Sequence, residues 1–280
     1  MDKHLNRSIA QRSGDKEAIE KVGAPDPKML EQLFGGTDEP ALMKQAIVVA
    51  SNPETTVENK IVALENFEML IENLDNANNI ENIKLWPQIV SFLNNPENEI
   101  RVLAALIVGI AVQNNPLAQK AYISHNGVKP LIDIALDSST LKDLYFKALF
   151  ALLSLIRNDE AAYQEFEKYH GWDLIVFGSA DNDKKRLRLL SLLSAAILTG
   201  LKNKEQHIHK SVIANLIALL DTESHAGCVD KVLNIVLQLH GFGFQFEKEE
   251  LVALEKGVKF AESREDVSQE EVAAAKKTLH

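Results

Sequence analysis

Asn126-Gly127-Val128-Lys129-Pro130-Leu131-Ile132 returns 44 residues later as His170-Gly171-Trp172-Asp173-Leu174-Ile175. The apolar run before each glycine returns at the same offset. Ala104-Ala105-Leu106-Ile107-Val108-Gly109-Ile110-Ala111-Val112-Gln113-Asn114 stands against Ala148-Leu149-Phe150-Ala151-Leu152-Leu153-Ser154-Leu155-Ile156-Arg157-Asn158. Each run closes on Asn, which tolerates the left-handed backbone that ends a helix, and Pro116 follows the first of them closely. Pro87 and Pro130, 43 apart, each open a short helical stretch, where a missing N–H costs nothing. Outward from these anchors, long helices are predicted at 57–74, 97–113, 141–157, 184–198 and 228–240. Shorter ones are predicted at 80–85, 87–94, 117–124, 130–136, 161–169, 174–177 and 211–220. Helical units of this period cannot bury their apolar faces alone, and stacking them builds one continuous core.

A long helix with two shorter ones per unit is the armadillo pattern more than the HEAT pattern. The expected fold is therefore all-α, an armadillo-like helical repeat solenoid, and such stacks present long surfaces that bind other proteins. Three sections follow. Residues 1–40 are polar and broken by Gly14, Gly23, Pro25, Pro27, Gly35, Gly36 and Pro40, which predicts a mobile N-terminal segment. Its helical patches, Leu5 with Ile9 and Met29, Leu30, Leu33 with Phe34, are too short to stand alone. Residues 41–246 form the armadillo domain. Residues 247–280 read as a charged helix and tail, in which Leu251, Leu254 and Val258 can cap the core and 273–277 read as frayed or disordered.

The formal net charge of −10 argues against nucleic acid and for a basic protein surface as partner. The single cysteine, Cys228, allows no intramolecular disulfide and fits a reducing compartment. The first residues lack an apolar signal region, and no stretch approaches 18 uninterrupted apolar residues. The expectation is a soluble cytoplasmic monomer without membrane or nucleic-acid contacts. No catalytic constellation is legible, and no metal or cofactor is expected. His207 and His209 are two apart, the wrong spacing for one helix face, and His225 with Cys228 is a pair where zinc usually takes four ligands. Gly241-Phe242-Gly243-Phe244 lacks the third glycine and the preceding strand of a dinucleotide loop. Trp86 and Trp172, two repeats apart, read as packing between units.

Polar residues left on long helices covered by both neighbours should face solvent on the inner side of the stack. Glu65, Glu68, Glu72 and Asp75 form one acidic stripe. Lys147, Ser154 and Arg157 form a second stripe, and Arg188, Ser191 and Ala195 a third. The change from acidic to basic along this side favours a partner of matching polarity. Asn73-Leu74-Asp75-Asn76-Ala77-Asn78-Asn79-Ile80-Glu81-Asn82 adds an Asx-rich helix end, readable as local caps or as an exposed docking patch.

That segment, with Asn66-Phe67-Glu68-Met69-Leu70-Ile71-Glu72 before it, closely resembles the fungal cytosolic armadillo-type nucleotide exchange factors of heat shock protein 70 chaperones. Ser8-Ile9-Ala10 with Gly14-Asp15-Lys16-Glu17-Ala18 agrees with that family. So do Pro25-Asp26-Pro27-Lys28-Met29-Leu30 through Leu33-Phe34-Gly35-Gly36, and Ala111-Val112-Gln113-Asn114-Asn115. The likeness runs over nearly the whole chain and is weakest after about residue 200. It implies that the armadillo domain embraces one lobe of the chaperone's nucleotide-binding domain and favours the open state that releases ADP. It also implies a pseudo-substrate role for the N-terminal segment through Leu5, Arg7, Ser8 and Ile9. Arg7 stands where the family pattern has an aromatic. The residues expected to bind the partner are Glu68, Glu72, Asn73, Asp75, Asn76, Ala77, Asn78, Asn79, Arg157 and Arg188; of these the resemblance implies Ala77 with its Asn neighbours and Arg188, and the polar stripes supply the others. The alternative is an armadillo adaptor that binds a peptide or protein in its groove without acting on nucleotide.

Overall fold

The structure, a computed structural model, describes residues 38–178, 181–200, 210–220 and 224–279. Leu5, Arg7, Ser8 and Ile9, His207 and His209 lie outside the described residues, as does almost all of the segment read as mobile. The chain divides into two compact units, Met1–Leu42 and Met43–His280.

Every described element is helical. The order is α1 Glu39–Ser51, α2 Val57–Ile71, α3 Leu74–Asn82, α4 Trp86–Phe92, α5 Asn98–Val112, α6 Pro116–Ser124, α7 Val128–Leu136, α8 Lys142–Ile156 and α9 Glu160–Lys168. A 3₁₀ turn, Gly171–Leu174, follows. Then come α10 Asp183–Gly200, α11 Lys210–Ala218, α12 Ala226–Gly241, α13 Lys248–Glu262 and α14 Gln269–Thr278. The long helices α2, α5, α8, α10 and α12 pack side by side in sequence, each against the next. Their inner sides merge into one core. Leu64, Phe67, Val108, Leu152, Leu193 and Leu233 in it are all fully buried.

Local chemistry sets the boundaries. Asn73, Asn115 and Asp159 each cap the short helix that follows a long one, accepting from Asp75 N, Ala118 N and Ala162 N. Such caps satisfy donors that the first turn leaves without partners. The turns that close these three helices put Lys84, Asn126 and His170 at positive φ, while Asn114 and Asn158 do the same after α5 and α8. The asparagines at helix ends therefore work as the sequence pattern predicts.

The repeating glycines have a different cause. A Cβ on Gly127 would lie 2.2 Å from the Tyr122 ring, and one on Gly171 would lie 2.3 Å from the Phe166 ring. Tyr122 also donates its hydroxyl to Gly127 O at 2.8 Å, and Trp86 meets the same ring edge-on at 5.1 Å. The first unit carries Ile80 and Leu85 at these two positions. Where the side chain beneath is smaller, the glycine is not required. Trp86 thus packs between units as expected, while the ring contacts of Trp172, edge-on to Phe166 and Tyr163, lie within its own unit.

Three sequence expectations change. Residues 74–82 form a full helix, because Asn73 caps it and Asn76, Ala77 and Ile80 give it a buried face. The helix expected at 174–177 is absent. Four apolar residues cannot hold a nucleated turn, and the chain instead runs into the cap of α10, with Gly178 N donating to Asp181 and Lys185 N to Asn182. The tail is not frayed. Ser268 caps α14 and its own N–H donates to Asp230 of α12, and Val272 and Ala275 are buried. Leu254 and Val258 of α13 are buried as expected.

Gly127→Ala should destabilise the fold by about 1–3 kcal/mol through overpacking. In a Tyr122→Ile background the same substitution should cost less than half as much, measured by urea denaturation of all four proteins of the cycle.

Candidate protein-binding surface

Corresponding positions on the five long helices carry Glu65, Leu106, Phe150, Ser191 and Asn234, and all five are half-buried. One turn earlier on each helix stand Val62, Leu103, Lys147, Arg188 and Lys231, half-buried or exposed. The long helices thus present a continuous face in which each contributes two or three accessible side chains. The face is acidic on α2, with Glu65, Glu68 and Glu72. It is apolar in the middle, with Leu103, Leu106, Ile110 and Phe150, and basic beyond, with Lys147, Arg157, Arg188 and Lys231.

The charges on this face feel one another across intervening helices. Burial raises the Glu68 carboxyl, Glu72 raises it further, and Lys147 of α8 opposes the shift although α5 lies between. Burial lowers the Lys231 ammonium of α12, and Arg157 at the end of α8 lowers it further. Glu271 of α14 is raised by burial and by Asp230, against the pull of Asn234 and Lys231. The face therefore holds like charges close together at both ends, a destabilising arrangement.

The residues singled out from sequence divide. Glu68, Glu72, Arg157 and Arg188 stand on the face. Asn73 and Asp75 are exposed at the start of α3, while Asn78 and Asn79 are half-buried, Asn79 accepting from Asn82 at 3.0 Å. Ala77 is only 3% exposed and Asn76 only 4%, so neither belongs to an exposed patch. Both lie on the side of α3 that packs inward, and the Asn76 amide donates to Leu70 O at the end of α2. Ser154 and Ala195 are buried too, so their stripes reduce to Lys147 with Arg157 and Arg188 with Ser191. Ala77 nonetheless borders an open groove with Glu72, Leu74 and the end of α5. Lys231 and the apolar middle of the face were not read as site residues. Aligning the five long helices position by position would have placed them there.

The remaining candidates are structural. Cys228 is buried, with its thiol 3.9 Å from Asp183 O, and burial raises it. His225 caps α12 by accepting from Gly227 N. Among the described residues no helix is long and apolar enough to cross a membrane.

Glu68 carries a testable consequence. Its raised carboxyl favours the folded state below the ordinary value of 4.5, and that advantage is lost as pH rises through the folded value. Glu68→Gln should therefore melt higher than the wild type at pH 7 and indistinguishably from it near pH 3.5, as followed by circular dichroism.

The profile of the "Nucleotide exchange factor Fes1" family matches residues 2–80, and that of the "SIL1/FES1/HPBP1 C-terminal domain" matches residues 76–217. The chain is 48% identical to the Hsp70 nucleotide exchange factor FES1 of Debaryomyces hansenii and 42% identical to that of Saccharomyces cerevisiae, in each case over the whole of both chains. Among solved structures, a designed armadillo repeat protein in complex with the peptide (KR)4 superposes with a TM-score of 0.68 at 13% identity. The superposition covers 87% of this chain and all of that one. A computationally designed armadillo repeat protein for modular peptide recognition gives 0.69 at 13%, covering 85% and all. These two establish the armadillo fold. The full-length relatives and the two profiles establish the lineage: the chain belongs to the Fes1 family of nucleotide exchange factors.

Proposed function

We propose that this protein promotes ADP release from a cytosolic heat shock protein 70 by docking its long-helix face on the chaperone's nucleotide-binding domain. The observation that carries this reading is the graded face itself. A single lobe has to meet acidic, apolar and basic zones in a fixed order, which specifies orientation as well as affinity. The protein then acts by population shift. It binds the open, nucleotide-free state more tightly than the closed ADP state, and a coupling of about 1–3 kcal/mol weakens ADP binding roughly 5–150-fold. No group on the chain needs to react, so the protein is a co-chaperone and not an enzyme. It works as a cytoplasmic monomer.

Glu68, Glu72, Asn73 and Asp75 serve the acidic end of this contact and Arg157 and Arg188 the basic end, with Asn78 and Asn79 beside the first set. The N-terminal residues Leu5, Arg7, Ser8 and Ile9 act separately, as a short apolar pseudo-substrate flanked by cations that occupies the peptide-binding cleft and helps clients leave.

Release of a fluorescent ADP analogue from a cytosolic heat shock protein 70 tests the main reading. Acceleration supports it. Binding without acceleration would instead make the chain an armadillo adaptor. Arg188→Ala should weaken binding tenfold or more, about 1.4 kcal/mol, with an unchanged helical circular dichroism spectrum. Removal of residues 1–37 should leave ADP release within twofold of the full chain and slow the release of a labelled client peptide.

A further inference from the structure

Gln119 of α6 donates its amide to Ser154 O, Leu155 O and Arg157 O at 3.0–3.2 Å, closing the C-terminal end of the long helix α8. The position that corresponds to Gln119 one unit earlier is Ala77. Both stand at the fourth residue of a nine-residue helix capped by asparagine. The backbone positions that correspond to the three acceptors are Ile110, Ala111 and Gln113 at the end of α5. Those residues, with Ala77, line the open groove of about 330 Å³. Where the second unit inserts a glutamine, the first has only a methyl group beside the groove; there Ala111 O accepts from the Asn115 side chain and Ile110 O from Gln113 N.

The groove has the chemistry of its missing occupant. Its walls near Ala77 are apolar, formed by Ile71, Leu74 and Ile110, with Leu74 60% exposed. The groove is also lined by Glu72, which is exposed, and by the last residues of a 15-residue helix, the end at which the backbone dipole is negative. Apolar walls suit a methylene stem, and a carboxylate beside helix-end carbonyls suits a cationic head.

We infer that the groove between α3 and the end of α5 receives a lysine or arginine side chain of the chaperone's nucleotide-binding domain, in the place that Gln119 fills one unit later. This rests on the reading of the protein as an exchange factor and adds an anchor for the partner. It also changes the role of Ala77, whose small size keeps the slot empty and whose exposure is not needed. An arginine at 77 would place its own guanidinium against the α5 carbonyls and exclude the partner's.

The test uses the full chain and the nucleotide-binding domain of a cytosolic heat shock protein 70, with affinity from calorimetry and exchange from fluorescent ADP. Ala77→Gln should weaken binding tenfold or more while the melting temperature stays level, because the new side chain fills the groove in the place that Gln119 fills one unit later. Glu72→Gln should weaken binding about threefold and flatten its salt dependence, and Glu72→Lys should weaken it more than tenfold. If the wild type neither binds nor accelerates release, the functional reading fails and the occupant falls with it. If the wild type binds and a folded Ala77→Gln binds within twofold of it, the slot is overturned alone. If Ala77→Gln does not fold, Glu72→Lys decides, and binding within twofold overturns the assignment. Loss in Ala77→Gln with no response to either Glu72 variant makes the occupant a neutral donor and overturns the cation.

Discussion

Gln119 spans from one unit to the end of the next long helix, and Thr199 reaches back from α10 to the carbonyl of Ile156 at 2.9 Å and accepts from Asn158 N. These bonds satisfy the C-terminal carbonyls of α8 from both neighbours. The last four carbonyls of any helix lack partners within it, and burying them unmet costs about 1–3 kcal/mol apiece. In a stack of long helices such ends are crowded by the next unit. At α8 both neighbours bring a donor to a fixed height, while at α5 Asn115, just beyond the helix, donates to Ala111 O. The bonds at α8 hold the units they join in register, and the register aligns the accessible side chains into one face. Further along, Ser194 of α10 donates to Gln238 of α12 at 3.1 Å, and Gln238 is held in turn by Asn234 of its own helix at 2.7 Å.

The register explains why charge accumulates as it does. Side chains at equivalent heights on successive helices stand within reach of one another, so a run of Lys147, Arg188 and Lys231 is a column and not a scatter. A column of one sign is poor design for a protein that only has to fold, and it is a good design for meeting a surface of the other sign in one orientation. The apolar middle adds affinity that salt does not screen.

The repeat was legible because glycine and asparagine have narrow backbone roles. Gly127 and Gly171 returned at one interval, and the asparagines at 114, 126 and 158 marked helix ends where the structure has them. The helical tail at 269–278 was harder to read. Its alternation of Glu, Ala and Lys looks solvated, and only Val272 and Ala275 reach the core. The Asx-rich segment misled in the same way. Asparagine is polar, yet Asn76 turns inward to close α2, and burial of Ala77 follows from helix phase, which composition does not reveal. The groove at Ala77 could not be read from a single unit. It is defined by what the next unit has and this one lacks.

The third unit lacks its second short helix and has only the 3₁₀ turn at Gly171–Leu174 in that place. In a stack held together by nearest neighbours alone, cooperativity passes from unit to unit through the layers they share. Here the outer layer is thinner, and the coupling between the two halves passes through α8 and α9, both packed on α10. Local opening is therefore expected to divide the domain at this point into an N-terminal block ending with α9 and a C-terminal block starting with α10. The acidic end of the face belongs to the first block, and Arg188 and Lys231 to the second. A partner that grips both ends holds the two blocks in one cooperative unit, so the clamp is itself stiffened by what it clamps.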